Sequence, residues 1–220
     1  MNLGMSLSTF WPQLPTFAGR FGLDWQAEQQ RMQERAHQQQ QNREWLIRIV
    51  GSQRQGRTCL PVCLGLQPAD FAWLTSNVLP MYGRYQPLKP GRLAQVQQQS
   101  GEDLRQQLLE MREDEWLEIR NLLRRFRRGM DDLELVLADV LAAGCLGGDH
   151  LWRDLGLADR GQLSELMRTN FPDLFERNNA NMKWKKFFYK QLCEEGGGYV
   201  CRAPSCQECT AYRDCFGPEA

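Results

Sequence analysis

The chain lacks a net charge, a membrane-length apolar run, a basic leader and any clear strand. Its 27 Lys and Arg are matched by 27 Asp and Glu. A balance of zero leaves no global field to draw it toward nucleic acid or an anionic membrane, so electrostatic recognition must rest on local patches. The longest apolar stretch, residues 135–146, is interrupted by Asp139 and is too short to span a bilayer. A mean hydropathy of −0.57 also argues against an integral membrane protein. The first charge is Arg20, so the N-terminus lacks the basic region of a secretory leader. These absences predict a cytoplasmic protein with neither a membrane nor a nucleic acid as partner. No period-two alternation and no internal repeat is visible.

What is present is 220 residues, 42% of them hydrophobic, enough for one domain with a real core or one domain plus an appendage. Residues 1–23, uncharged but for Arg20 and carrying Pro12 and Pro15, read as an arm. Asp24 is a plausible N-cap for a helix running to about residue 50. Its glutamine tract, residues 38–41, reads as a solvated face, and Trp45, Leu46 and Ile49 anchor its end. Residues 51–56 (GSQRQG) read as a loop. Pro68 opens a helix carrying Phe71, Trp73 and Leu74 that stops before Pro80, and residues 82–101, rich in Gly, Pro and Gln, form the best internal linker.

A long helical pattern covers residues 102–128, with Leu104, Leu108, Met111, Ile119, Leu122, Leu123 and Phe126, and Gly129 ends it. Asp131 and Asp132 start the next helix, which runs to Ala143 with Leu133, Val136, Leu137, Val140 and Leu141 at helical spacing. Residues 159–170 and 178–195 read as two more, separated by Pro172, the last stopped by three glycines from Gly196. The fold class is therefore mostly α: a helical domain with a short irregular C-terminal cysteine-rich metal-binding tail.

Eight cysteines fall below the density of a disulfide scaffold. Cys59, Cys63, Cys145 and Cys193 are scattered, whereas Cys201, Cys206, Cys209 and Cys215 form a C-x4-C-x2-C-x5-C run. In a reducing compartment such a cluster points to metal or redox chemistry. Four soft thiolates close in sequence wrap one metal centre at modest loop-closure entropy. The first three have the C-x4-C-x2-C spacing of plant-type ferredoxins, with a nearer fourth. An iron–sulfur cluster, a four-cysteine zinc site (more often built from two C-x2-C pairs) and a disulfide or inert tail remain open on spacing alone.

Immediately upstream, residues 181–193 form a basic helix. Trp184, Phe187, Phe188 and Leu192 share one face and read as core rather than as a cofactor-stacking surface. Lys183, Lys186 and Lys190 share another, with Cys193 beside them at the end nearest the tail. Either this is a solvated lysine face or an electropositive strip that leads an oxyanion to the thiolates. An exposed charge pair at about 4 Å gains roughly 1 kcal/mol in water. Such a strip therefore steers and captures weakly, and durable binding belongs to sulfur. Cys193 is either a fifth sulfur used in metal exchange or an inert buried thiol. The arginines at 120, 124, 125, 127 and 128 form either a docking patch for an acidic partner or a solvated helix end partly neutralised by Asp131 and Asp132.

The segments HLWRDLGL at 150–157, NFP at 170–172, MKWKKFFYKQLC at 182–193, CRAPSC at 201–206 and CFGP at 215–218 together resemble the NifQ family of nitrogen-fixation proteins. LPVCLGL at 60–66, with Phe71 and Leu79-Pro80 after it, is similar to the same family. The resemblance covers about residues 45–218 and leaves 1–44, the arm and Gln-rich helix, unmatched. It implies an iron–sulfur cluster that takes up molybdenum, with molybdate as source. It also implies delivery to the assembly of the nitrogenase iron–molybdenum cofactor, with the NifEN scaffold and NifH as recipients. By that resemblance the protein is a carrier rather than an enzyme, and Cys201, Cys206, Cys209 and Cys215 are the cluster ligands. His150 offers a nitrogen to molybdenum or iron, although a structural role is the expected one. The roles of Cys59 and Cys63 are left open, and the alternative to the whole reading is a zinc-stabilised interaction module.

Overall fold

The computed structural model describes residues 18–80, 101, 104–196, 209 and 212–219, of which 18–24 are described as helical backbone alone. The elements are α1 (Ala18–Arg54), α2 (Pro68–Trp73) continued by a π-helical turn (Leu74–Val78), α3 (Glu113–Arg125), α4 (Leu133–Cys145), α5 (Leu151–Asp154), α6 (Arg160–Asn170), α7 (Pro172–Arg177), α8 (Trp184–Glu195) and α9 (Tyr212–Phe216). Residues 104–111 are also helical, and no strand occurs among the described residues.

The chain divides into two units, one ending at Ala36 and one beginning at His37. In the first, residues 25–36 of α1 are exposed on every side, Trp25 and Met32 included. A helix that is polar all round is held by neighbouring turns. Here Gln30 donates to Glu34 at 2.9 Å and Arg31 to Glu28 at 2.7 Å.

The second unit is organised around α4. All but two of its residues, Leu135 and Val136, are buried. A helix apolar on every side belongs at the centre of a bundle. Around it lie Ile119, Leu122 and Leu123 of α3, Leu163, Leu166 and Met167 of α6, Trp184, Phe187 and Phe188 of α8, and Leu46, Ile49 and Val50 from the second half of α1. Each such side chain contributes about 1.5–3 kcal/mol by leaving water. The LPVCLGL turn enters the same core through Leu60 and Leu64. Gly65 there has φ +86°, and a Cβ on it would stand 2.6 Å from Ala143 Cβ, so only glycine lets the turn lie against α4.

Several boundaries differ from the sequence expectations, each for a local reason. Helix α1 begins at Ala18 rather than at an Asp24 cap and continues through Gly51 to Arg54, so most of GSQRQG is helical. The glutamine tract is not wholly a solvated face. Gln38 is buried and donates from Nε2 to Asn170 Oδ1 at 2.9 Å. Asn42, one turn on, is buried as well and donates to Asp131 at 2.8 Å. The expected helix over 102–128 is broken at Arg112, whose guanidinium bonds Glu115 at 2.5 and 2.6 Å and the Leu146 carbonyl at 2.7 Å. Asp132 is the N-cap residue of α4, as expected, but its side chain makes no capping hydrogen bond. The buried Glu134 carboxylate instead takes the backbone N–H groups of Gly129, Met130 and Asp131 at 2.6, 3.0 and 3.2 Å.

Pro172 does not merely separate two helices but opens α7 at its first position, where a missing N–H costs nothing. The following residues are held off the helix by Asn178, which both accepts from Met182 N–H at 2.8 Å and donates to its carbonyl at 2.9 Å. Consequently α8 starts at Trp184 rather than at residue 178. The linker expected at 82–101 and the glycines from Gly197 fall almost wholly outside the described residues.

Candidate functional site

The site is built on α8. Its apolar face is fixed by an aromatic cluster. Trp184 meets Phe187 edge-on at 5.8 Å and stacks on Phe175 of α7 at 6.3 Å. With Trp184, Phe187 and Phe188 all buried, the reading of this face as core holds, and Leu192 is half-buried at its edge. Burial of that face leaves Lys183 and Lys186 at the surface of this helix end. Helix α8 has no side-chain cap and no acidic residue in its first turn. An anion is stabilised at such an end, where backbone N–H groups are unpaired.

A pocket of about 290 Å³ opens there, lined by Gly147, Gly148, Asp149 and His150, by Lys183, Lys185 and Lys186, and by Asp214 and Glu219. The structure thus brings Lys183, Lys186 and His150 together. It places Lys190 elsewhere, beside Glu194 at 3.5 Å and in a second, larger hollow with Tyr212 and Phe216. Cys193 is half-buried in the last turn of α8.

Lys185, which the sequence reading did not single out, is the most committed of the lysines. Its Nζ donates to the Gly147 carbonyl at 2.8 Å and to the Asp154 carboxylate. Asp154 also accepts from Asp149 N–H at 3.0 Å, and a Cβ on Gly147 would collide with its carboxyl group. The Lys185–Asp154 pair is largely buried, so it is an internal strut that ties α8 to α5 and leaves little charge for a ligand. The signal that could have found Lys185 is its position three residues before the fully buried Phe188. Nothing local marks Asp154 as its partner.

The C-terminal segment docks on the same end of α8. Lys183 N–H donates to the Cys215 carbonyl at 2.8 Å and Lys183 Nζ to the Arg213 carbonyl at 3.2 Å. Tyr212 N–H donates to the Cys209 carbonyl at 3.1 Å, so Cys209 leads directly into α9, which carries Cys215. Both cysteines are half-buried. No disulfide joins the described cysteines, and Cys201 and Cys206 lie outside the described residues. Among the described residues no group of three or more His, Cys, Asp and Glu side chains converges on a common centre. An iron–sulfur group is held by cysteine thiolates, and the half-buried Cys209 and Cys215 supply two sulfurs of that chemistry among the described residues.

The remaining cysteines contrast with these. Burial, reinforced by the Asp154 carboxylate, pushes the Cys59 thiol up to about 12, and Cys59 Sγ donates to the Gly144 carbonyl at 3.8 Å. Cys145 is wholly buried and pushed to about 12 by the same loss of water. Burial also raises Cys63. A thiol held protonated is a poor metal ligand and a poor nucleophile. His150 stands at the entrance to α5 with Nδ1 3.8 Å from Glu219 Oε2. Of the arginine run, Arg120 and Arg124 are committed to Asp139 at 2.7 to 2.9 Å, and Arg125 pairs with Glu195.

Fold and site together define a helical domain whose C-terminal cysteine-bearing segment is docked on a lysine-rich helix end. A sequence model of the NifQ family matches residues 45–217. The chain is 54% identical over 178 residues to Protein NifQ of Azotobacter vinelandii, covering 81% of this chain and 89% of that protein. It is 35% identical over 178 residues to Protein NifQ of Klebsiella pneumoniae, covering 79% and 97%. It is 46% identical over 99 residues to a Protein NifQ homolog of Sinorhizobium fredii (strain NBRC 101917 / NGR234), covering 45% and 43%. No solved structure matches the chain. The chain belongs to the NifQ family, whose name places it among nitrogen-fixation proteins. No helix among the described residues is long and apolar enough to cross a membrane.

Proposed function

We propose that the protein is a cytoplasmic iron–sulfur and molybdenum carrier that supplies molybdenum to the biosynthesis of the nitrogenase iron–molybdenum cofactor. The observation that carries this reading is family membership across residues 45–217, a span that includes all four cysteines of the C-terminal run. Cys201, Cys206, Cys209 and Cys215 would hold the iron–sulfur group, which supplies a soft sulfide surface for reduced molybdenum. The cargo enters as molybdate, a tetrahedral dianion, at the pocket of His150, Lys183 and Lys186.

The charge around that pocket sets what it does. Lys185 is neutralised by Asp154, Glu219 is engaged by Arg160 and Asp149 faces Arg153 at 3.7 Å, which leaves Lys183 and Lys186 against Asp214. Two lysines half-screened by water give an approaching dianion a few kcal/mol at most, at an effective dielectric near 20. That is enough to concentrate it and too little to retain it. Transfer onward therefore depends on sulfur, and the protein hands over its cargo rather than turning over a substrate. Its recipients are nitrogenase cofactor assembly proteins, the NifEN scaffold with NifH.

The test is anaerobic purification followed by iron, sulfide, molybdenum and zinc analysis, and visible spectroscopy before and after incubation with molybdate. Iron with sulfide, and molybdenum gained on incubation, support the proposal. Zinc alone in a colourless protein replaces it with a zinc-stabilised interaction module.

A further inference from the structure

The side chain of Glu219 is only 7% exposed. A carboxylate this buried needs a charged or hydrogen-bonding partner. Here the partner is Arg160, the first residue of α6. One guanidinium nitrogen donates to Glu219 Oε1. The other donates to the Asn181 carbonyl at 3.1 Å, to Asn181 Oδ1 at 2.9 Å and to the Met182 carbonyl at 2.9 Å. Asn181 has φ +55°, a left-handed conformation uncommon outside glycine, and Arg160 grips both of its oxygens. A single side chain thus joins the start of α6, the residues that lead into α8 and the end of the tail.

The second point of attachment is the Cys215 carbonyl on Lys183 N–H. Between the two points the chain turns through Gly217, whose N–H donates to the Arg213 carbonyl at 2.8 Å. A Cβ at Gly217 would collide with that carbonyl, so the turn is closed to other residues. His150 also faces Glu219. Cys215 is therefore fixed from both of its flanks, by Lys183 on one and by the Arg160–Glu219 pair on the other. Cys209 is connected to this arrangement through α9, where Tyr212 and Phe216 stack at 4.6 Å.

We propose that Arg160 and Glu219 are positioning residues that clamp the C-terminal cysteine segment against α8, so that Cys215 is presented at a fixed place before any metal arrives. The inference rests on the reading of Cys215 as a ligand only for its functional half; the clamp itself stands on the geometry above. A pre-fixed ligand spares the ordering entropy that a loose tail would lose on closing round a metal. Release of Glu219 would return that cost and speed the loss of whatever the cysteines hold.

The test uses the full chain with Glu219→Ala, which lies outside the core and leaves α4 and its neighbours intact, and Glu219→Gln, which keeps an oxygen for Arg160. The first readout is the rate at which iodoacetamide labels Cys215 in reduced, metal-free protein, with Cys63 as internal reference. Labelling of Cys215 several-fold faster in Glu219→Ala, intermediate in Glu219→Gln and unchanged at Cys63 is the expected result. Equal Cys215 rates in wild type and Glu219→Ala overturn the clamp. The second readout is the rate of iron loss to a chelator after anaerobic reconstitution with iron and sulfide. Faster loss from Glu219→Ala supports the positioning role, and equal loss despite faster labelling overturns it. Wild-type protein that takes up no iron overturns the ligand reading and with it the positioning role, while the labelling result still decides the clamp.

Discussion

Cys145 lies in the middle of the core with 2% of its surface exposed, and Cys59 hangs its sulfur on the carbonyl of the preceding Gly144. Cys209 and Cys215 lie at the other end of the structural spectrum, half-buried on a segment attached through backbone hydrogen bonds and ion pairs. The two populations carry the same atom at different depths in the protein. Interior sulfur is desolvated and kept as thiol, which packs as a small apolar group. Cys209 and Cys215 are only half-buried, on a segment whose backbone meets the start of α8. The comparison extends to how each region is held. The body depends on apolar burial around α4, the tail on Arg160, Lys183 and a glycine turn.

The largest expected effect separates the two regions outright. Cys206→Ala or Cys209→Ala abolishes the visible absorption of the reconstituted protein, while the thermal midpoint of the metal-free body is unchanged. Spectra and melting curves of the same samples check both halves. The converse variant is Phe188→Ala. Truncation of this fully buried ring costs about 3–5 kcal/mol of stability, measured by urea unfolding, while metal content at low temperature persists for as long as the fold does.

A third prediction concerns pH. Cys59 and Cys145 have folded values raised from 9.0 to about 12. Their contribution to stability is complete below about pH 9 and is lost as pH rises through the folded values, because the unfolded chain gives up those protons first. Tyr189 is raised too, by burial and by its bond to Glu115, and acts in the same direction above its own ordinary range. Metal capture by the tail has the opposite slope, since its ligands must lose protons to bind. The metal-free body should therefore weaken between about pH 9 and pH 12 in urea titrations, and Cys145→Ala should flatten that decline. Zinc or iron affinity over the lower part of the range should rise. The smallest effect belongs to Lys186→Gln, which reduces molybdenum uptake at low molybdate by less than tenfold, an exposed charge contributing about 1 kcal/mol. Lys190→Gln, paired with Glu194 away from the pocket, should have a smaller effect still, and radiometric or elemental uptake measurements rank the two.

Much of the body was legible because its information is local. Leu133, Leu137, Val140 and Leu141 repeat at helical spacing, and Pro68 and Pro172 mark places where a helix can begin. What escaped is information carried over distance. Gln38 looks like its neighbours until Asn170, 132 residues on, supplies a partner. Lys185 looks like Lys183 and Lys186 until Asp154 claims it, and Arg160 shows its role only with Glu219 folded back across 59 residues. The four-cysteine run stood out in the sequence by its spacing, whereas Cys201 and Cys206 lie outside the described residues and no ligand group converges among those described. The grouping of Lys183 and Lys186 with His150, and the exclusion of Lys190, depended on where α8 starts, which Asn178 sets by holding Met182 off the helix.

The most direct measurement is the inorganic content of one anaerobic preparation, read as iron, sulfide, molybdenum and zinc per chain in wild type and in the Cys209→Ala variant. The account predicts iron and sulfide in wild type, molybdenum gained after exposure to molybdate, and loss of all three in the variant. Zinc without sulfide in wild type, or iron and sulfide undiminished in the variant, would contradict it.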